Sequence, residues 1–127
     1  MGDKISISNI QNSLVTVKST LTNVQHSVGR ISTEDEAARQ RLQELIEELS
    51  QALQKIPESK KEQAEAVAAS AEDFVEKAKT DKPNKTLLEI SGEGLKKAAE
   101  NLADFAPTVL SIASQVIMTV MQMKGLA

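Results

Sequence analysis

The chain has 127 residues, a net charge of −3, two aromatic residues and no cysteine. This length suits one domain with a core of moderate size. The charge argues against nucleic acid as the main partner, because such binding normally needs a basic surface. The lack of cysteine excludes disulfides and thiolate metal sites. With no signal-peptide pattern at the N-terminus, we expect a cytoplasmic protein.

An apolar ladder with steps of three and four residues runs from Ile7 to Ile56, and Asp35 is its one charged position. A mean repeat of 3.5 residues keeps one helix face against partner helices, as in coiled coils. The sequence therefore predicts an all-α, coiled-coil-like bundle that forms a single domain over residues 1–127. The apolar ladder positions are Ile7, Ile10, Leu14, Val17, Leu21, Val24, Val28, Ile31, Ala38, Leu42, Leu45, Leu49, Ala52 and Ile56.

The N-terminal region combines two patterns. Ile5 and Ile7 alternate with serines, which predicts an extended start over residues 1–8. The ladder predicts a long first helix over residues 9–31, ending near Gly29. Its many Ile, Val and Thr residues have low helix propensity, so a strand is the alternative. We favour the helix because the ladder stays in phase throughout, and we expect packing to stabilise it.

Residues 34–79 are predicted to form an antiparallel helical hairpin around Pro57. Thr33–Glu36 and Ser59–Glu62 both match the capping-box pattern that begins a helix. The link between the two helices is short, which is typical of antiparallel neighbours. The second helix of the pair has a mostly alanine seam, which predicts close approach to the leucine-rich helix before it.

Residues 86–124 are predicted to form a kinked C-terminal helix. Gly92 and Gly94 weaken it, and Pro107 removes a backbone donor, so it kinks this helix or begins a new one.

Residues 105–123 carry no charge. One helical face is polar but uncharged and the other is branched and apolar. We favour burial of this segment within a protein assembly; contact with a membrane and an ordinary exposed face are the alternatives. The polar stripe is Thr108, Ser111, Gln115, Thr119 and Gln122, and the apolar face is Val109, Ile112, Val116, Ile117 and Val120.

No residue set predicts catalysis, a metal or a cofactor. His26 is the only histidine and lies off the ladder, so we interpret it as a surface side chain. Glu44, Glu47 and Glu48 could hold a hard cation, but with nearby arginines they are typical of surface ion pairs. The Gly92–Gly94 segment lacks the context of a phosphate loop. We therefore predict a protein that is not an enzyme and has no cofactor.

Two segments resemble small uncharacterised helical proteins of bacteria. They are the opening run Ile5–Ile10 and the run Lys85–Ala99, which is followed by Ala106–Leu110. Some proteins of this kind are accessory or effector-associated modules near bacterial immunity (conflict) genes. The resemblance implies a bacterial, non-enzymatic part that binds a partner or disrupts a membrane, and it transfers no site residues.

The function predicted from these patterns is a helical oligomerisation or protein-interaction module, whose partner is a second copy or another protein. The alternative is a membrane-active protein, forming a pore or an anchor through residues 105–123. The predicted interaction seam is Ile10, Leu14, Val17, Leu21, Val24, Val28, Leu42, Leu45 and Leu49.

Overall fold

The computed structural model describes residues 2–80 and 82–126, and in the first helix it describes side chains from Thr16 onward. These residues form helices and no strand, which confirms the all-α class. A 3₁₀ turn, Glu58–Lys60, precedes the third helix. The helices are α1 (Gly2–Gly29), α2 (Glu36–Gln54), α3 (Lys61–Ala78), α4 (Lys85–Glu100) and α5 (Pro107–Met123).

Successive helices run in opposite directions. Gln25 near the end of α1 donates a hydrogen bond to the Gln43 carbonyl in the first half of α2, at 2.9 Å. The Ser27 hydroxyl near the end of α1 lies 2.7 Å from Glu76 Oε1 near the end of α3, so these two helices run in the same direction and α2 runs opposite to both. Around the bundle the neighbours follow the order α1, α2, α5, α4, α3, and α3 closes the ring against α1.

The apolar ladder becomes the core from Val17 onward. Its positions in α1 and α2 are buried except Ala52, which is half-buried, and the flanking residues Ile46 and Leu53 are also buried. The 3.5-residue repeat therefore identified the inward faces of both helices. The buried ladder residues are Val17, Leu21, Val24, Val28, Ile31, Ala38, Leu42, Leu45, Leu49 and Ile56.

The extended start predicted for residues 1–8 is wrong where the structure describes it, because α1 already begins at Gly2. Met1 lies outside the described residues. An alternation of only four residues needs a partner strand to supply its hydrogen bonds. The described chain contains no strand, whereas a helix satisfies these groups locally.

The predicted hairpin around Pro57 has the expected helix directions, because α2 and α3 are antiparallel. The two helices scarcely touch each other, however, and both pack against α1 instead. The connection over residues 55–60 includes the 3₁₀ turn. It is long enough for α2 and α3 to lie on either side of α1. The alanine-rich face of α3 therefore packs against α1 and α4, and the predicted contact with α2 is wrong.

Both capping boxes are also wrong. Asp35, the charged ladder position, is the N-cap of α2, and its Oδ1 accepts a hydrogen bond from the Ala38 amide at 2.9 Å. The Thr33 hydroxyl instead lies 3.3 Å from the Met123 carbonyl, so it ties the α1–α2 loop to the end of α5. The N-cap of α3 is Lys60, with no side-chain cap hydrogen bond.

The predicted kinked C-terminal helix is two helices. α4 ends at Glu100 and α5 begins at Pro107, and the turn at 101–106 reverses the chain. Proline suits the first position of a helix because its missing N–H would be unpaired there, and it favours extended backbone in Ala106 before it. Gly92 and Gly94 lie inside an unbroken α4.

A Schellman motif ends α5. The Leu126 amide donates to the Met121 carbonyl at 2.8 Å, and the Gly125 amide donates to the Gln122 carbonyl at 3.1 Å. Gly125 has φ of +69°, the left-handed conformation that this motif requires. The motif lets Leu126 pack against the core.

A polar contact fastens α1 to α3. The Ser27 hydroxyl bonds Glu76 Oε1, while the Lys79 ammonium lies 2.9 Å from Glu76 Oε2. The hydrogen bond from Lys79, followed by that from Ser27, holds the pKa of Glu76 below its ordinary value. A lowered folded-state pKa stabilises the fold above the ordinary glutamate pKa of about 4.3, and this stabilisation disappears as pH falls through the folded pKa.

We expect opposite effects from the same substitution at two glycines. Gly125→Ala should lower the free energy of unfolding by about 1–2 kcal/mol, because a Cβ is strained at positive φ. Gly94→Ala should raise it by up to about 1 kcal/mol, because Gly94 is exposed in a helix interior with nothing within 4 Å of an added Cβ. Urea unfolding at low protein concentration measures both. Changes of the same sign would contradict this account.

Ser27→Ala should destabilise the fold by roughly 0.5–1 kcal/mol at pH 7, because Glu76 loses a hydrogen bond while it is charged. The difference from wild type should be smaller at pH 3, because protonation of Glu76 on lowering the pH weakens the contribution of its hydrogen bond from Ser27. Urea unfolding at the two pH values measures it, with the exposed Ser19→Ala in α1 as the control. A difference that is equal at both pH values would exclude a role for the Glu76 charge.

Candidate interaction surface

The predicted interaction seam lies inside a single chain. Its residues in α1 and α2 are at most 1% exposed, and they pack where α1 meets its neighbouring helices. Ile10 and Leu14 lie outside the described side chains. From Val17 onward the seam is therefore core in this structure. The buried seam residues are Val17, Leu21, Val24, Val28, Leu42, Leu45 and Leu49.

The apolar face of α5 is also mostly internal. Val109, Ile112, Val116 and Val120 are buried, and α5 packs against α2 and α4. Ile117 is half-buried at the α4 side. Within residues 2–80 and 82–126, no helix combines the length and the apolar character that a membrane crossing requires.

The uncharged polar stripe of α5 faces outward on the α2 side, where Thr108, Ser111 and Gln122 are exposed. Gln115 Oε1 accepts a hydrogen bond from Arg41 of α2 at 2.9 Å. The Thr119 hydroxyl donates to the Gln115 carbonyl one turn earlier, at 2.7 Å. Hydrogen bonds within the same chain, to Arg41 and to the helix backbone, thus satisfy polar groups of the stripe. Covering by an assembly or by lipid, as predicted from the sequence, is not needed for these groups.

On its other side α5 forms an apolar groove with α4. A Cβ added at Gly92 would lie 3.4 Å from both Ile117 of α5 and Phe74 of α3, which is ordinary van der Waals contact, so α3, α4 and α5 meet at this position. Outside this contact the helices leave an open groove of about 640 Å³, whose apolar lining includes Ile90, Met118 and Met121.

Three large apolar side chains at or beside this groove are exposed. Ile90 is 62% exposed, Met118 is 70% exposed, and Leu87 on the neighbouring turn of α4 is 51% exposed. Among the described residues the only other large apolar side chain with such exposure is Phe105, and the Lys60 ammonium lies 4.9 Å from its ring centroid. We call Leu87, Ile90 and Met118, together with the groove, the α4–α5 face.

A second, smaller groove of about 360 Å³ flanks α4 on the α3 side. Its walls include Ala69 and Ser70 of α3, and Leu87, Ile90 and Gly94 of α4. Ile90 therefore forms a ridge between the two grooves. The small residues beside this ridge leave room for a side chain from another molecule.

Five exposed charged residues line the α5-facing edge of α4. At 100° per residue they fall within about 80° of one another around the helix. Lys85 Nζ lies 3.9 Å from Glu89 Oε1, which is the separation expected of an exposed pair four residues apart. The five residues are Lys85, Glu89, Glu93, Lys96 and Glu100.

The other residues weighed for chemistry lie apart from this face. His26 is exposed on α1. Glu44, Glu47 and Glu48 are exposed on α2, where Glu44 Oε2 lies 3.6 Å from Arg41. The described part of the chain brings together no group of three or more histidine, cysteine, aspartate or glutamate side chains suited to a metal ion.

Sequence reasoning did not single out Leu87, Ile90 or Met118. The signal was present in α4, where Leu87, Ile90 and Gly94 follow three-four spacing on a face next to that of the buried residues Leu88 and Leu95. The sequence of α4 therefore carries a second apolar stripe beside the one that faces the core.

Comparison of the chain with protein-family models, with curated proteins and with solved structures finds no match. The resemblance to bacterial immunity-associated modules therefore stays a prediction.

Truncating the seam should affect folding rather than association. Val24→Ala and Val116→Ala should each lower the free energy of unfolding by about 2–3 kcal/mol, because two buried methyl groups are lost and a cavity remains. Urea unfolding and light scattering measure stability and mass, with the exposed Asn23→Ala as a near-neutral control. A reduced mass with unchanged stability would place the seam between chains instead.

Proposed function

We propose that the chain is a non-enzymatic helical module that self-associates through the α4–α5 face. The observation that carries this proposal is the exposure of Ile90 and Met118 at the groove between α4 and α5, with Leu87 exposed beside Ile90 on the α3 side. The rest of the described apolar core is well covered, so this exposure is not a general shortage of burial. Contiguous exposed apolar groups with a charged edge are typical of protein-binding surfaces.

The shape of the face supports a helical partner. Two antiparallel helices with an open groove between them offer the surface that an amphipathic helix uses when it binds in a groove. Met118 and Met121 add flexible side chains that adjust to a partner. The chain itself is built of amphipathic helices, so a second copy can supply such a partner.

The packing of α5 favours this role over a membrane role. Its apolar face, including Val116 and Val120, is already buried against α2 and α4. Insertion of α5 into lipid would first have to open the bundle and expose the core faces of both neighbours. Self-association through the α4–α5 face needs no such rearrangement, and it agrees with the partner-binding part that the bacterial resemblance implies.

The proposal predicts concentration-dependent self-association that single substitutions on the face abolish. Ile90→Asp and Met118→Asp should each give a monomer with wild-type helicity, because both side chains are exposed in the single chain and an aspartate there costs little in folding. Sedimentation equilibrium over a hundredfold concentration range measures the mass, and circular dichroism measures the helicity.

Phe105→Asp is the matched control, because Phe105 is also large, apolar and 54% exposed but lies outside the α4–α5 face. It should associate like wild type. A wild-type chain that stays monomeric at every concentration would refute the proposed function. Loss of association in the Phe105 variant alone would place the binding surface in the 101–106 turn.

A further inference from the structure

Four of the exposed charges along α4 form a pattern that reads with opposite sign from its other end, whereas Glu93 and Lys97 have no charged counterpart in it. Lys85 and Glu100 are equally distant from the point between Gly92 and Glu93, and so are Glu89 and Lys96. All four lie on the α5-facing edge and are exposed. Reversing the helix about that midpoint places each base at the level of an acid.

This pattern complements an antiparallel copy of itself. A two-fold axis that lies in the interface and is perpendicular to α4 keeps the α5-facing edges of both copies on the same side. Lys85 then lies opposite Glu100 of the second copy, and Glu89 lies opposite Lys96 of the second copy. Symmetry repeats both pairs, which gives four attractive contacts along one edge.

A parallel arrangement lacks this complementarity. It would place each residue at the level of the same residue in the second copy. Glu89 would then lie level with Glu89 of the second copy, and Lys96 with Lys96 of the second copy, so like charges would be side by side. The macrodipoles of the two α4 helices would also point the same way, which is less favourable than the antiparallel arrangement.

The apolar surface fits the same axis. Ile90 of one copy falls at the level of Gly94 and Leu95 of the second copy, where Gly94 is open and the α3–α4 groove has room. Met118 follows Ile117, which lies beside Gly92, so the axis places Met118 at the level of its own equivalent in the second copy. The exposed apolar residues and the charges therefore indicate one register.

We propose that the occupant of the α4–α5 face is a second copy of this chain, with the two α4 helices antiparallel about a two-fold axis near Gly92 and Glu93. This inference rests on the proposed function and assigns its partner and geometry. Glu93 is unfavourable in this arrangement, because the two copies of its carboxylate meet near the axis. Lys96, one turn away on each copy, offsets this repulsion.

Single-cysteine cross-linking tests the register directly, because the natural chain has no cysteine. Glu93→Cys should form a disulfide-linked dimer in oxidised glutathione at least tenfold faster than Lys85→Cys. At 1.5 Å per residue, two Lys85 positions lie about 22 Å apart along the paired helices, too far for a disulfide. Non-reducing electrophoresis at a concentration where the wild-type chain associates measures the rates.

Charge exchange gives a second readout. Glu89→Lys and Lys96→Glu should each weaken the dimer by about tenfold, since each replaces two attractive pairs with repulsive ones. The double variant should recover wild-type affinity, and Glu93→Gln should bind more tightly than wild type. Sedimentation equilibrium at low salt measures the dissociation constants, because salt screens these contacts.

The outcomes separate this inference from the proposed function. If the chain associates and Ile90→Asp abolishes it, but Lys85→Cys cross-links as fast as Glu93→Cys or the double charge variant stays weak, the antiparallel register is wrong and the function stands. If Glu93→Cys cross-links selectively and the double variant recovers, the register is established. A chain that never associates overturns both.

Discussion

The fold depends on one helix face that serves two neighbours. The buried stripe of α1 from Val17 to Val28 packs against α2 and α3, which scarcely touch each other. Valine supplies most of this stripe, and a β-branched side chain is stiff enough to hold a defined shape between two surfaces. α1 has low intrinsic helix propensity, so the packing that it provides is also what stabilises it as a helix.

The position of the candidate surface follows from this arrangement. With α1 between α2 and α3, α5 packs beside α2 and α4 packs beside α3, and the ring closes where α4 meets α5. The two helices meet at Gly92, close to Phe74 and Ile117. The groove lies on the outer side of this contact and includes Gly92 in its lining. The α4–α5 face thus lies where the last two helices complete the bundle.

The sequence predicted which helix faces are buried better than it predicted which helices pack against each other. A repeat of three and four residues reports which side of a helix is apolar, so Leu42, Leu45 and Val116 were correctly placed on buried faces. The same repeat cannot tell whether the covering helix belongs to the same chain, which is why a core stripe was interpreted as an interaction seam. Helix adjacency was missed for a related reason, since the short link at Pro57 constrains direction but not contact.

Caps and the candidate surface were harder to predict because they depend on tertiary partners. Thr33 matches a capping box locally, yet its hydroxyl contacts the Met123 carbonyl, which lies 90 residues away in the chain. Ile90 and Leu87 resemble core residues in composition, and only the position of α3 and α5 leaves them exposed. The turn at Pro107 was predictable because proline acts through its own backbone.

In the proposed dimer, the apolar and the charged residues of the α4–α5 face have different roles. Apolar side chains such as Ile90 and Met118 supply attraction, but the gain from burying a few half-exposed side chains is of the same order as the cost of association, about 4–15 kcal/mol. Such a surface binds weakly and with little preference for register. The charges on the α5-facing edge of α4 are too exposed to add much affinity, but a misaligned copy would bring like charges together. In the proposed dimer the apolar residues would therefore determine whether two copies associate, and the order of charges from Lys85 to Glu100 would determine how they align.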